Sequence, residues 1–149
     1  MRSAEAEALP KEIADEERLA RYVFSPSMVD DYGVSRQAFQ LDNLERGPEK
    51  YVSVERASYR EPKRENYKYN PRKKNDSLVG YAELSAGAVR TLRVKDVWAE
   101  VKAHGNKSNP YHAGIHYHNY DGQIAGECED GAFIIFITRL SKIAHFHEF

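Results

Sequence analysis

Two neighbouring segments of the chain alternate apolar and polar residues with a period of two. "DVWAEVKAHG" sets Val97, Ala99, Val101 and Ala103 against Trp98, Glu100, Lys102 and His104, and "YHAGIHYHNY" sets Ala113, Ile115 and Tyr117 against His112, His116 and His118. That period belongs to strands with one face on a core and the other face wet. Asn106 to Pro110 turns the chain between them.

The same reasoning organises the rest of the sequence. "ARYVFS" (Ala20 to Ser25) reads as a first strand closed by Ser25-Pro26, and "DDYG" reads as a turn. "KYVSVERAS" alternates Tyr51, Ser53 and Glu55 with Val52 and Val54, and "SLVGYAELS" ends on Ser85, placed to cap a short helix through "AGAVRTL". In "VSRQAFQL" the residues Val34, Ala38 and Leu41 are spaced for a short helix. Asp121-Gly122 is a hairpin signal, and "AFIIFIT" (Ala132 to Thr138) reads as the most buried strand, before one helical turn in "RLSKIA" and an extended "HFHEF". Residues 1–17 form a polar N-terminal segment in which Pro10, Ile13 and a thin apolar stripe predict a weakly docked helix. Six or seven short strands with two or three short helices predict an α+β, β-rich fold, an antiparallel sheet or open barrel. At 149 residues, 1–149 is read as a single domain.

Charge narrows the function classes. The formal net charge is -1, so nucleic acid or anionic lipid is attracted only through a local patch. Cys128 is the one cysteine, no apolar leader is visible, and "AFIIFI" is far too short to span a bilayer. A cytoplasmic protein without membrane contact is expected. Cys128 is flanked by Glu127, Glu129 and Asp130, neighbours that suppress a thiolate. No G-x-S-x-G elbow or glycine-rich phosphate loop occurs.

All six histidines fall between His104 and His147. Imidazoles two apart on a strand share a face at about 7 Å, close enough to converge on one divalent metal ion if a neighbouring strand adds a third ligand. His116 and His118 are the first candidates, with Asp121, Glu127 or His112 as third ligand and His145 with His147 as an alternative pair. "GIHYHNYDGQIAGE" is similar in outline to the first cupin motif, but Glu127 lies far after His118 and no second motif with Pro-x-Gly and a later His follows. The competing expectation is a solvated or hydrogen-bonded strand face.

Residues 60–76 carry no apolar period and read as a basic flexible loop. Within it Lys63, Arg64, Tyr67, Lys68, Tyr69, Arg72, Lys73 and Lys74 interleave cations with aromatic rings, a pattern suited to phosphate contacts and base stacking on a nucleic acid. Glu61, Glu65 and Asp76 favour a plain soluble insertion instead. Arg21, Ser53 and Glu127 give a loose outline of the Arg-Ser-Glu layout of ADP-ribosyltransferases, without the aromatic and glycine context around a nicotinamide.

The string "RYVFSPSMV...GVSRQAF", followed by "YVSVERAS", "SAGAVRTL" and "NPYHAGI", resembles a group of small bacterial proteins of unknown function. Arg21, Phe39, Ser53, Asn109, Pro110 and His112 match that pattern, and His116, His118, His145 and His147 lie outside it. The resemblance implies a bacterial origin and one compact domain, and it brings no activity. Asn109-Pro110 fixes the chain just before His112, which is read either as donating to a nearby carbonyl while the turn pins the strand, or as a general base or ligand contact paired with Arg21 as an anion clamp. The expectation is a binding or interaction module for a protein or small-molecule partner. The alternatives are a metal-dependent or nucleotide-processing enzyme on the histidine face, and nucleic-acid binding through residues 60–76.

Overall fold

The computed structural model describes residues 9–41, 51–67, 77–124 and 131–149. Among the described residues nine strands form: β1 (Arg18–Ser25), β2 (Val29–Asp30), β3 (Gly33–Val34), β4 (Val52–Arg56), β5 (Ser77–Ser85), β6 (Trp98–Ala103), β7 (His112–Asn119), β8 (Gly122–Gln123) and β9 (His145–Glu148). The described residues also form the α-helices α1 (Ala86–Thr91) and α2 (Gly131–Ile143), with 3-10 turns at Arg36–Phe39 and Arg64–Asn66. The main sheet is antiparallel throughout in the order β6-β7-β4-β1-β5-β9, with β8 folding back on β7 and β2-β3 forming a separate hairpin. Edges at β6 and β9 leave it open. The fold is therefore α+β and β-rich, as the alternation implied.

One face of this sheet carries the core. Leu19, Val23, Val52, Val54, Ala82, Leu84, Ala99, Val101, Ala113, Ile115 and Tyr117 are buried against Ala132, Phe133, Phe136, Ile137 and Leu140 of α2. The Tyr117 ring meets Phe133 and Phe136 edge-on at 5.1 and 5.8 Å. Its hydroxyl donates to the Phe39 carbonyl at 2.6 Å, which ties the Arg36–Phe39 turn to the same face. Each leucine, valine, isoleucine or phenylalanine side chain so buried contributes about 1.5–3 kcal/mol relative to exposure. Ser85 caps α1 by accepting from the Ala88 N–H at 3.1 Å, as its position predicts.

Two expectations are corrected. "AFIIFIT" is the first half of α2 rather than a strand, because Ala132, Phe133, Phe136, Ile137 and Leu140 recur at helical intervals along a stripe that extends past Thr138. Residues 9–17 form bends and turns rather than a helix. Arg56 holds both ends of that stretch, through the Pro10 carbonyl at 2.7 Å and the Glu17 carboxylate at 2.9 Å. Residues 1–8 lie outside the described residues.

The opposite face is polar and divided. Over β1 and β5 it is covered by residues 57–67, whose Tyr67 ring packs at 5.2 Å from both Tyr22 and Phe24. This second cover explains why β1 is buried on both faces. Over β6, β7 and β4 the polar face carries half-buried rings, and these form the candidate site.

Candidate functional site

The register builds the site. β6 and β7 pair Trp98 with His118, Glu100 with His116 and Lys102 with Gly114. β4 and β7 pair Ser53 with Gly114 and Glu55 with His112. Successive side chains on a strand point to opposite faces. Since Ala113, Ile115 and Tyr117 face the core, His112, His116 and His118 emerge together on the polar side. His104 follows β6 on that side, its N–H donating to the His112 carbonyl at 2.9 Å.

Gly114 makes the centre possible. A Cβ at this position would lie 2.7 Å from Cγ of Tyr51 and 3.0 Å from Cδ2 of His104. The place of the missing side chain is thus taken by two rings, from the residue before β4 and the residue after β6. Tyr51 stacks on His104 at 4.3 Å and 12°, and tilts against His116 at 5.0 Å and His112 at 5.7 Å. Its hydroxyl lies 3.1 Å from His112 Nε2. Nε2 of His104 lies 2.8 Å from Nε2 of His116, a ring that is 1% exposed. Such a contact holds one N–H and one lone pair, since two N–H groups would collide.

The charge on His112 is held low. Burial pushes the His112 pKa down, the His104 charge adds to this, and Glu55 opposes both. The neutral ring then accepts from the Tyr51 hydroxyl. Glu55, itself buried, accepts from the Tyr22 hydroxyl at 3.0 Å, and one Arg60 nitrogen bridges its two oxygens at 2.9 and 2.8 Å. Burial, followed by the Glu55 charge, pushes the Tyr22 phenol above the usual tyrosine range. The Arg60 guanidinium lies over the Tyr111 ring at 4.4 Å.

His116 and His118 do share a face, but they serve different partners, and this corrects their reading as a convergent metal pair. His118 stacks on Trp98 at 4.4 Å and brings Nε2 to 2.7 Å from Glu100 Oε1, a contact without hydrogen-bond geometry. Asp121 is exposed in the turn after β7, and Glu127 lies outside the described residues, as does Cys128. Among the described residues no group of three or more His, Cys, Asp or Glu side chains is arranged to hold a metal ion. His145 and His147 sit on the exposed edge strand β9, where His147 stacks on Tyr81 at 4.8 Å.

Arg21 is corrected more sharply. It lies on the core side of β1 between Leu19 and Val23, 3% exposed, donating to the Ala38 carbonyl at 2.8 Å and the Ser53 carbonyl at 2.9 Å. His112 emerges on the other side of the sheet, so the two form no anion clamp. The Arg21–Ser53 half of the transferase outline fails for the same reason, since the Ser53 side chain belongs to the polar face opposite Gly114. Asn109 pins the strand entrance as its spacing suggests: its side chain accepts from the Tyr111 N–H at 3.1 Å and its carbonyl from the His112 N–H at 3.3 Å.

Of the basic loop, Tyr67 is packed into the fold, and Arg64 donates to the Leu78 carbonyl at 2.7 Å while lying 5.5 Å from the Phe149 ring centre. Lys63 is exposed, and Lys68, Tyr69, Arg72, Lys73 and Lys74 lie outside the described residues. Sequence reasoning missed His104, Tyr51 and Glu55 as members of one cluster. The signal was present, because each occupies a polar position in its own alternation and Gly114 interrupts the imidazole row between His112 and His116.

Compared with family models, curated proteins and solved structures, the chain matches none. Among the described residues no helix is long and apolar enough to cross a membrane.

Proposed function

We propose that the chain is a binding module whose recognition surface is the half-buried patch around Tyr51, His104, His112 and His116, bordered by Glu55 and Arg60. The observation that carries this reading is the mutual satisfaction of the polar groups: Tyr51 with His112 at 3.1 Å, His104 with His116 at 2.8 Å and Glu55 with Arg60 at 2.8 Å. A catalytic base must offer its lone pair to substrate, whereas the His112 lone pair is occupied by the Tyr51 hydroxyl. A preformed surface of stacked ring faces suits a small planar ligand. The single cysteine, Cys128, supports a cytoplasmic setting, and the resemblance to small bacterial proteins supports a bacterial one.

The test is an amide and imidazole NMR screen of the full chain against neutral heteroaromatic and small anionic fragments. Shifts are expected to concentrate on Tyr51, His104, His112, Gly114 and His116. Hits confined to other parts of the molecule, or none at all, would overturn the reading.

A second reading, an enzyme in which His112 draws the proton from the Tyr51 phenol, rests on the same 3.1 Å contact. An arylsulfonyl fluoride separates the two. A binding module leaves Tyr51 no more reactive than the exposed Tyr59, while selective labelling of Tyr51 speaks for the enzyme.

A further inference from the structure

Building on the recognition patch, we infer that Nε2 of His104 and Nε2 of His116 form a two-nitrogen seat for a borderline divalent ion of the zinc, nickel and copper group, whose open positions hold the donor atoms of the ligand. Two imidazoles on a tetrahedral ion at about 2.0–2.1 Å place their nitrogens about 3.3 Å apart. The observed separation is 2.8 Å, with the two atoms facing one another. An opening of about half an ångström, with a tilt of each ring and the Nε2 proton moved to Nδ1 of its own ring, therefore exchanges the hydrogen bond for a shared ion.

The scaffold suits that exchange. His116 is 1% exposed in β7, whereas His104 is half-buried just past the end of the edge strand β6. Both backbones are set by the paired residues between them, Val101 with Ile115 and Ala103 with Ala113. The bare Gly114 lets the two rings reach across one strand position, and the Tyr51 ring walls the cluster. Glu100, opposite His116 in the register, offers compensating charge nearby, with Lys102 beside it at 3.9 Å. Imidazole donors select borderline ions over magnesium or calcium, and affinity rises toward copper(II). Two protein ligands leave coordination positions open, which is the condition for an ion that recognises a ligand rather than stapling the fold.

The experiment uses the untagged full chain, titrated with zinc(II) and copper(II) by calorimetry and followed by ¹⁵N shifts of the imidazoles. One equivalent of zinc is expected to move Nε2 of His104 and of His116, with copper bound more tightly. His104→Gln should weaken zinc binding roughly ten-fold or more, while His118→Gln and the pair His145→Gln with His147→Gln leave it unchanged. Absent binding at millimolar free zinc, or binding that only the His145 and His147 changes remove, would overturn the seat and mark the contact as a shared proton. Should His104→Gln fail to fold, the nitrogen shifts of the unaltered protein decide. Repeating the fragment screen in chelator keeps the two ideas apart: fragments that bind the patch without metal, beside absent zinc binding, sink the seat and leave the binding module standing.

Discussion

The Tyr51 ring occupies the space that a Cβ on Gly114 would fill, with Cγ 2.7 Å from that position. Gly in a strand interior is ordinarily a weakness, since it adds entropy to the unfolded chain and no side chain to the sheet. Here the deficit on β7 is offset by the ring of Tyr51, the residue just before β4. Gly114→Ala should therefore destabilise, reversing the sign expected for an open strand, by about 1–3 kcal/mol from overpacking. The same change should push Tyr51 off His104 and part the 2.8 Å His104–His116 contact. Thermal unfolding together with the ring-current shifts of the His104 protons checks both effects. An alanine variant as stable as the parent, with those shifts unmoved, would contradict the packing.

Arg56 and Glu17 form a bidentate pair at 2.9 Å on the core side of the sheet, at 1% and 5% exposure. The guanidinium also takes the Pro10 carbonyl at 2.7 Å, and Glu17 accepts from the Ala14 N–H at 2.9 Å. Residues 9–17 are thus fastened to β4 by one side chain, together with the buried Ile13. Arg56→Ala or Glu17→Gln leaves the remaining partner buried without its mate and should cost about 3–5 kcal/mol. Arg56→Met with Glu17→Leu should recover much of the loss, because the pair is then replaced by apolar volume. Urea unfolding of the three variants checks the order.

Strands were legible wherever one face was wet. The alternation in β6 and β7 placed Ala99, Val101, Ala113, Ile115 and Tyr117 inward and the histidines outward, as the packing bears out. It failed at α2, where "AFIIFI" is apolar at every position, so periods of two and of 3.6 fit equally. The deciding residue is Leu140, which extends the apolar stripe past Thr138. That threonine folds its hydroxyl back to the Ile134 carbonyl at 2.7 Å, continuing the helix rather than stopping it. The site was half legible for a related reason. Periodicity reports which face a side chain takes, but not which strand lies beside it. His116 and His118 were therefore grouped by sequence spacing, when the register hands His116 to His104 and His118 to Trp98 and Glu100. The same limit paired Arg21 with His112 across a sheet that separates them.

The buried state of His112 makes stability depend on pH in a stated direction. Its folded pKa is lowered by burial first and by the His104 charge second, with Glu55 opposing, while the unfolded ring keeps the ordinary value of about 6.5. Above that value neither state binds the proton, and His112 contributes no slope. As pH falls below about 6.5 the unfolded chain binds a proton that the folded ring refuses, so stability declines until the lowered pKa is passed. The Tyr51 hydroxyl, which donates to Nε2 in the neutral cluster, must also reorient once that nitrogen carries hydrogen. Urea midpoints measured in chelator from about pH 7.5 down to about pH 5 should fall for the parent, and His112→Gln should flatten the part of the fall that begins near 6.5. Parallel curves for the two proteins would show that His112 does not carry the pH dependence.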